Sequence, residues 1–191
     1  MPGNAAQAAV TLHGVLMQVH GLGVLLTGAS GVGKSELALE LLSRGHSLVA
    51  DDAAELSLRK DRIIGRCPPL LRGFLEARSL GILNVRRMYG ARCLRQMTPL
   101  DLIIALDALP LQGDTGIERL SGRRGTREVL GIEIAEISIP IRLGHNLAVL
   151  VEAACRDLKL RRDGYHADED LTRRQLLAIK NQLKKNPEQA N

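Results

Sequence analysis

The stretch "GVLLTGASGVGKSELALELLSRG", residues 23–45, decides the fold. The apolar residues 23–27 predict a buried strand, and the leucine and alanine spacing after Lys34 predicts a helix. Gly45 then stands where a helix end favours a residue that tolerates positive φ. Between strand and helix, residues 28–35 satisfy the pattern GxxxxGK[ST] in the strand–loop–helix context that makes this pattern informative.

This pattern predicts a phosphate-binding loop. Its glycines allow backbone N–H groups to point at a common centre, and the helix dipole adds a partial positive charge. Lys34 is expected to reach the β- and γ-phosphates of a nucleotide, and the Ser35 hydroxyl is expected to ligate Mg²⁺. The predicted nucleotide-binding residues are Gly28, Ala29, Ser30, Gly31, Val32, Gly33, Lys34 and Ser35.

Two adjacent carboxylates, Asp51 and Asp52, end the next predicted strand, "HSLVADD" at residues 46–52. If this strand neighbours residues 23–27 in the sheet, both acids lie beside the loop. One carboxylate then suits Mg²⁺, and the second suits accepting a proton from a hydroxyl that attacks the γ-phosphate. Both can face the loop only if the strand has ended, because adjacent strand residues point to opposite faces. Two acids in a solvated turn remain the alternative.

The rest of the chain alternates strand and helix patterns, which predicts one α/β domain with a mixed sheet. Residues 11–19 read as a single strand that forms a hairpin across Gly21. Residues 68–81 read as the start of a helix after two prolines. Further strands are predicted in 82–85, 100–109 and 132–141, and further helices in 146–162 and 168–185.

The composition argues against several classes of protein. The three aromatic residues, Phe74, Tyr89 and Tyr165, are too few for the stacking platforms that bind single-stranded nucleic acid. No apolar run approaches the ~18 residues of a membrane span. The three cysteines are far apart and without metal-ligand spacing, so free thiols and a cytoplasmic location are expected. We therefore expect neither nucleic acid nor membrane as a partner.

Nucleotide-using proteins of other kinds are only partly excluded. A guanine-reading NKxD and a DxxG motif are both absent from the sequence, which argues against a GTPase. An arginine-rich segment, "RLSGRRGTR" at residues 119–127, resembles the lid of a small-metabolite kinase. A P-loop kinase of a metabolite therefore stays open as a function.

Four segments in order resemble the catalytic domain of HPr kinase/phosphorylase. They are residues 11–56, then "LEARSLGILNV" at 75–85, "ERLSG" at 118–122 and "PIRLGHNLAVLVEAA" at 140–154. The resemblance implies a P-loop-containing mixed sheet of the phosphoenolpyruvate-carboxykinase-like type. It also implies a protein serine kinase that uses ATP and Mg²⁺ on HPr, the small carrier of the sugar phosphotransferase system. Such enzymes also dephosphorylate HPr by phosphorolysis with inorganic phosphate, and they assemble as homo-oligomers, hexamers in the family.

The resemblance also assigns roles residue by residue. Asp52, with Asp51 beside it, matches the general base that becomes a general acid in the reverse reaction. Glu76 matches a metal-site acid that joins Ser35. The other matched residues are the active-site His13 and Arg119, with Lys34 keeping its loop role, and the phosphorolysis-loop residues Pro140, Arg142, Gly144 and His145.

Departures from the family pattern set the remaining expectations. His145 stands where the family commonly has arginine, and a lost positive charge weakens phosphate capture, so kinase activity is expected more firmly than phosphorylase activity. The predicted organisation is a flexible N-terminus at 1–10, the catalytic domain at 11–165, and a C-terminal helix and tail at 166–191, without the N-terminal domain of longer relatives. A catalytically decayed ATP-binding regulatory module is the further alternative. The basic C-terminal segment reads as a solvated helix face, although docking on a partner stays open.

Overall fold

The computed structural model describes residues 8–107, 122–141 and 146–185, with side chains of the last helix described as far as Gln182. The strands in these ranges are β1 (Ala9–His13), β2 (Val15–Val19), β3 (Leu22–Gly28), β4 (Ser47–Ala50), β5 (Ala53–Arg59), β6 (Arg62–Arg66), β7 (Phe74–Ala77), β8 (Gly81–Asn84), β9 (Met97–Asp107), β10 (Arg124–Val129) and β11 (Ile132–Pro140). The helices are α1 (Lys34–Ser43), α2 (Val85–Tyr89), α3 (Leu147–Arg162) and α4 (Ala167–Lys185), with short 3-10 helices at Pro69–Leu71 and Ala91–Cys93.

Nine of these strands form one mixed sheet, which confirms the predicted fold class. Seven follow the order β1-β5-β6-β9-β3-β2-β4, and β11 joins β9 and carries β10. The long strand β9 pairs antiparallel with β6 near its start and parallel with β3 and β11 further along. Strands β7 and β8 form a separate hairpin.

The topology brings several strand ends to one edge of the sheet. Strands β3, β9 and β11 run parallel, and β4 shares their direction because both β3 and β4 are antiparallel to β2. Strand β3 ends at Gly28, β4 at Ala50, β9 at Asp107 and β11 at Pro140. Loops that follow the carboxyl ends of such strands are where α/β proteins bind ligands. The predicted phosphate loop leaves from this edge.

Strict alternation along the central strands divides the core between the two faces of the sheet. Leu26 and Ile104 pack with α1 and α3 on one face, whereas Leu25 and Ile103 pack on the other. On that second face, β6 lies so close to β2 that a Cβ on Gly65 would stand 2.4 Å from Leu16 Cδ2. The sheet therefore curls, so that β5 and β6 cover the face that α1 and α3 leave open.

Helices α1 and α3 have the amphipathic pattern that the sequence predicted. In α1 the buried residues include Leu37 and Leu41, and in α3 they include Ala148, Val151 and Cys155. By contrast, α4 leaves Leu171, Leu176, Leu177 and Ile179 exposed. None of the helices within the described ranges has both the length and the apolar character that crossing a bilayer requires.

Two local predictions were wrong, and one condition stated for the two aspartates is not met. Residues 11–19 are not one strand, because the chain turns at Gly14, where a Cβ would stand 2.5 Å from the Leu26 carbonyl oxygen. Residues 68–81 are helical only over Pro69–Leu71 and then enter the β7–β8 hairpin, where burial alternates residue by residue along β7. The strand at residues 46–52 is not the sheet neighbour of β3, because β2 lies between β3 and β4.

Candidate active site at the phosphate loop

The loop at residues 28–35 links the end of β3 to the start of α1, as predicted. Gly28, with φ 141°, passes so close to β9 that a Cβ would stand 2.6 Å from the Leu106 carbonyl oxygen. Gly33, with φ 100°, occupies the left-handed region immediately before the helix. A side chain at either position would oppose the loop conformation. The glycine spacing of the motif therefore has a direct structural cause.

Lys34 closes the loop on itself. Its ammonium donates hydrogen bonds to the carbonyl oxygens of Gly28 at 2.9 Å and Ala29 at 3.0 Å, and the residue is only 8% exposed. A charged phosphate oxygen is a stronger acceptor than a peptide carbonyl. An incoming nucleotide would therefore draw this ammonium away from the two carbonyls.

Asp51 is buried beside the loop and held by the β7 backbone. The backbone N–H of Glu76 donates a hydrogen bond of 2.7 Å to Asp51 Oδ2. Burial raises the pKa of Asp51 above its ordinary value of 3.8, and the neighbouring Asp52 charge raises it further, whereas the Glu76 hydrogen bond opposes the rise. Asp51 thus anchors Glu76 to the end of β4.

Asp52 faces solvent and pairs with His13. Its Oδ1 lies 2.8 Å from His13 Nδ1, and the two side chains are 70% and 57% exposed. Strand β4 has ended at Ala50, and Asp52 has φ 63°, which turns its side chain away from the alternation of the strand. Pairing of His13 with Ala53 across β1 and β5 sets the histidine opposite this turn. The condition that the strand must end before both acids can face the loop is met.

One cleft of about 260 Å³ gathers most of the predicted residues. The predicted residues that line it are His13, Ser30, Gly31, Gly33, Lys34, Ser35, Asp51, Asp52 and Glu76. Gly28, Ala29 and Val32 belong to the loop without lining the cleft, and Pro140 lies at the end of β11 in a different groove beside α3. Arg119, Arg142, Gly144 and His145 lie outside the described residues.

Three further residues line the cleft that the sequence had not singled out: Val15, Glu36 and Arg78. Arg78 is the most informative, because its guanidinium lies against the loop, 2.6 Å from where a Cβ on Gly31 would stand. Burial alternates along residues 74–78, so Glu76 and Arg78 share the exposed face of the same extended segment. Reading "LEAR" as a strand instead of a helix would have identified Arg78.

The charges of the cleft suit a nucleotide that arrives with a divalent cation. Four carboxylates, from Glu36, Asp51, Asp52 and Glu76, face the permanent cations of Lys34 and Arg78. This acidic excess would repel a bare triphosphate more strongly than its complex with Mg²⁺, which carries less negative charge. Oxygen ligands from carboxylates and a hydroxyl are the type that Mg²⁺ prefers. The Ser35 hydroxyl and the Glu76 carboxylate fit such an ion.

Comparison with known proteins gives one consistent picture. A sequence model of the "HPr Serine kinase C-terminal domain" matches residues 5–175. The HPr kinase/phosphorylase of Neisseria meningitidis serogroup C is 47% identical over 175 residues, which are 91% of this chain and 53% of that protein. The enzyme of the same name from Nitrosomonas europaea is 47% identical over 167 residues, or 87% of this chain and 52% of that protein. The chain thus spans about half the length of the curated relatives it matches.

A solved structure is similar over nearly its whole length. The Hpr(Ser) kinase/phosphatase from Coxiella burnetii superposes with a TM-score of 0.75 at 33% identity, and the match covers 85% of this chain and 98% of that one. The similarity therefore covers most of the fold of this chain.

Proposed function

Because the chain belongs to the HPr serine kinase C-terminal domain family, we propose that it transfers the γ-phosphoryl group of ATP to a serine of the protein HPr. The observation that carries this proposal is the His13–Asp52 pair, 2.8 Å apart and open to solvent in the same cleft as the phosphate loop. A carboxylate that is accessible to a protein hydroxyl and adjacent to the terminal phosphate has the position of a general base.

In the forward reaction, Asp52 accepts the proton of the serine hydroxyl as the serine oxygen bonds to the γ-phosphorus. The bond from that phosphorus to the bridging oxygen of ATP breaks, and ADP leaves. His13 orients the Asp52 carboxylate through the 2.8 Å contact. An ordinary Asp is ionised at neutral pH, so this base acts by its placement more than by its strength.

The other residues of the cleft position the phosphates. Lys34 and the N–H groups of the loop hold the β- and γ-phosphates, and Arg78 adds positive charge beside Gly31. Mg²⁺ held by Ser35 and Glu76 would neutralise the charge on these oxygens. Asp51 keeps Glu76 in place through the hydrogen bond from the Glu76 backbone N–H.

The same groups serve the reverse reaction. A protonated Asp52 would donate its proton to the departing serine oxygen while inorganic phosphate takes the phosphoryl group and forms pyrophosphate. Arg119 and the residues Arg142, Gly144 and His145 are proposed to bind phosphate in both directions. Pro140 supports this part of the proposal, since β11 ends at the same sheet edge as β3.

The cellular location and the assembly of the chain belong to the same proposal. Cys67, Cys93 and Cys155 are free and buried, and burial raises the pKa of the Cys155 thiol to about 12. Unpaired thiols of this kind suit the reducing cytoplasm, where HPr would be met. The exposed leucine and isoleucine side chains of α4 are compatible with burial against another copy in a homo-oligomer.

The decisive experiment mixes the purified chain with HPr, ATP and Mg²⁺ and measures the mass of HPr. We expect the mass of one phosphoryl group to be added, and none to be added to an HPr whose acceptor serine is alanine. Transfer of labelled phosphate to small hydroxylated metabolites instead would favour a metabolite kinase. ATP binding without any transfer would favour a regulatory module. Adding inorganic phosphate to purified phospho-HPr then tests the reverse reaction through the appearance of pyrophosphate.

A further inference from the structure

A second group of polar side chains lies at the other end of α1. His20 belongs to the turn between β2 and β3, His46 follows α1, and Glu152 lies on α3. One nitrogen or oxygen of each residue lies within 4.8 Å of the others. Within the described ranges, this group is the one set of three histidine, cysteine or acidic side chains close enough to share a metal ion. Neither the family resemblance nor the proposed reaction uses it.

His20 carries an unsatisfied ring nitrogen. Its Nε2 is buried and lacks a hydrogen-bond partner among the described residues. A buried polar atom without a partner is unfavourable, and natural structures rarely retain one without a cause. His20 also has φ 49°, a left-handed conformation that is uncommon for residues other than glycine. Gly21 has φ 81°, and a two-residue hairpin between paired Val19 and Leu22 requires positive φ at both of its central residues, so the turn itself fixes where this imidazole lies.

The two imidazole rings of the group lie against each other. The ring centroids of His20 and His46 are 4.8 Å apart, with the planes at 81°. An imidazole nitrogen with a free lone pair is a common metal ligand, and the fold places two such rings side by side.

We propose that His20, His46 and Glu152 bind one divalent transition-metal ion, with Zn²⁺ as the representative. Two imidazoles and one carboxylate form a ligand set that Zn²⁺ takes up with a fourth, exchangeable ligand. Imidazole also selects Zn²⁺ and related metals over Mg²⁺ and Ca²⁺, which prefer oxygen ligands. Strand β3 separates this site from the phosphate loop by roughly 20 Å, so the proposed ion is distinct from the Mg²⁺ of the nucleotide.

To admit the ion, the contacting pair has to open, and the wider separations in the group, which are up to 4.8 Å, have to close to about 3.4 Å. His46 Nε2 lies 2.8 Å from Glu152 Oε1. Zinc–ligand bonds of about 2.0–2.1 Å in a tetrahedral arrangement place two ligands about 3.4 Å apart. The pair therefore has to open by about half an ångström, and the ion replaces the hydrogen bond between the two side chains.

Neighbouring cations support the ligands. Arg44 holds the other oxygen of Glu152 at 3.3 Å, which orients the carboxylate. Lys159 donates to the backbone carbonyl of His20 and so fixes the turn. Partners of this kind orient the ligands of metal sites in proteins. The bound ion would cross-link the β2–β3 turn, the end of α1 and the middle of α3.

The test is a calorimetric titration of the chelator-stripped chain with Zn²⁺ in the presence of excess Mg²⁺. We expect one equivalent to bind. Changing a supporting residue of a metal site costs about 10–100-fold in affinity, so loss of a ligand in His20→Asn or Glu152→Gln should cost about 100-fold or more. Asparagine is chosen at His20 because it tolerates positive φ.

Two variants serve as matched controls. Glu40→Gln removes the other carboxylate that pairs with Arg44, and His166→Asn removes a histidine outside the group. Both should bind Zn²⁺ like the parent chain. The ligand-field absorption of Co²⁺ on the parent chain should show nitrogen and oxygen ligands without a thiolate, which tests the site even if a variant fails to fold. The proposal is overturned if the parent chain takes up no equivalent, if both ligand variants bind unchanged, or if Co²⁺ reports a cysteine ligand.

Discussion

Two histidine–carboxylate pairs flank α1, and the nitrogen–oxygen distance is 2.8 Å in both. At the phosphate-loop end, His13 and Asp52 are 57% and 70% exposed, whereas at the far end His46 and Glu152 are 9% and 18% exposed. The first pair lies in an open cleft beside the phosphate loop. The second is enclosed and braced by Arg44. The two pairs therefore have the same nitrogen–oxygen distance but different exposure to solvent. This difference in exposure determines which role each pair can have.

The energetic consequences differ in the same way. An ion pair exposed to solvent contributes about 0–1 kcal/mol to stability, so the position of His13 and Asp52 needs another explanation, and proton transfer provides one. The enclosed pair is largely shielded from solvent, and it joins the end of α1 to α3. We therefore expect substitutions at the open end to change activity and substitutions at the closed end to change stability.

The largest expected effect tests the open end. Asp52→Asn keeps the shape of the side chain and removes the base, so phosphoryl transfer to HPr should fall by about 10²–10⁴-fold while ATP binding persists. Initial rates of HPr phosphorylation, with nucleotide affinity measured by calorimetry, provide the readout. The free energy of unfolding should change by no more than about 0.5 kcal/mol, as for other exposed positions.

Asp61→Asn is the matched control for that substitution. Asp61 lies in the β5–β6 turn with φ 59°, close to the 63° of Asp52, and it is likewise exposed. Asparagine fits this conformation equally well at both positions. Transfer that continues unchanged in Asp52→Asn, or that falls equally in Asp61→Asn, would remove Asp52 from the mechanism.

An intermediate effect compares the glycines at the two ends of α1. Gly33 and Gly45 have φ of 100° and 90°, and a Cβ on either would meet no atom within 4 Å. Alanine at either position should therefore cost about 1–2 kcal/mol of unfolding free energy from the left-handed backbone alone. Only Gly33→Ala should also weaken ATP binding. Any strain that the free loop relieves by relaxing must be restored on binding, so the same cost of about 1–2 kcal/mol is divided between lost stability and an ATP affinity that is weaker by up to about 5–30-fold.

Chemical denaturation and nucleotide titration measure these two quantities separately. Equal losses of ATP affinity in the two variants would mean that the loop conformation is not required for binding. A loss of stability in Gly33→Ala alone would mean that the end of α1 near Gly45 relaxes without strain.

The open end was predictable because its chemistry is contiguous in the chain. Residues 28–35 carry the loop, and Asp51 and Asp52 follow one helix later, so motif spacing suffices even though β2 lies between β3 and β4. The break at Gly14 was not predictable, because the apolar alternation of residues 11–19 continues through it and only the approach to Leu26 forces the turn. Glu76 was placed on a helix because Pro68 and Pro69 favour a helix start, whereas tertiary pairing with β8 makes the segment a strand.

At the other end of α1, the sequence contains no local pattern that indicates a site. His20, His46 and Glu152 lie on three elements, and the contacting pair is separated by 106 residues. A lone histidine in a turn and a glutamate on a helix have no spacing from which a site can be inferred. Only the packing of α3 against α1 and the β2–β3 turn brings them together.

The smallest expected effect comes from two carboxylates, Asp51 and Glu152, whose pKa values are shifted in opposite directions. Removing their charges should therefore change stability with opposite signs. Burial raises the pKa of Asp51 above 3.8, whereas the hydrogen bond from His46 lowers the pKa of Glu152 below 4.5. A raised pKa means that the folded state loses stability as pH rises from 3.8 through the folded value. A lowered pKa means that Glu152 stabilises the fold above pH 4.5 and that this contribution is lost as pH falls through its folded value.

Amide substitutions should therefore act in opposite directions at pH 7 in the metal-free chain. Asp51→Asn should unfold at a higher temperature than the parent, because Asn keeps an acceptor for the Glu76 N–H without a buried charge. Glu152→Gln should unfold at a lower temperature, because the ionic partner of His46 and Arg44 is gone. The Asp51 difference should disappear as pH falls to about 3.8, whereas the Glu152 difference should begin to shrink only below pH 4.5 and disappear below its folded pKa. The unfolding temperatures are measured in thermal melts with chelator between pH 3.5 and 7.5. If both variants shift the unfolding temperature in the same direction, the two carboxylates do not differ in the way their environments imply.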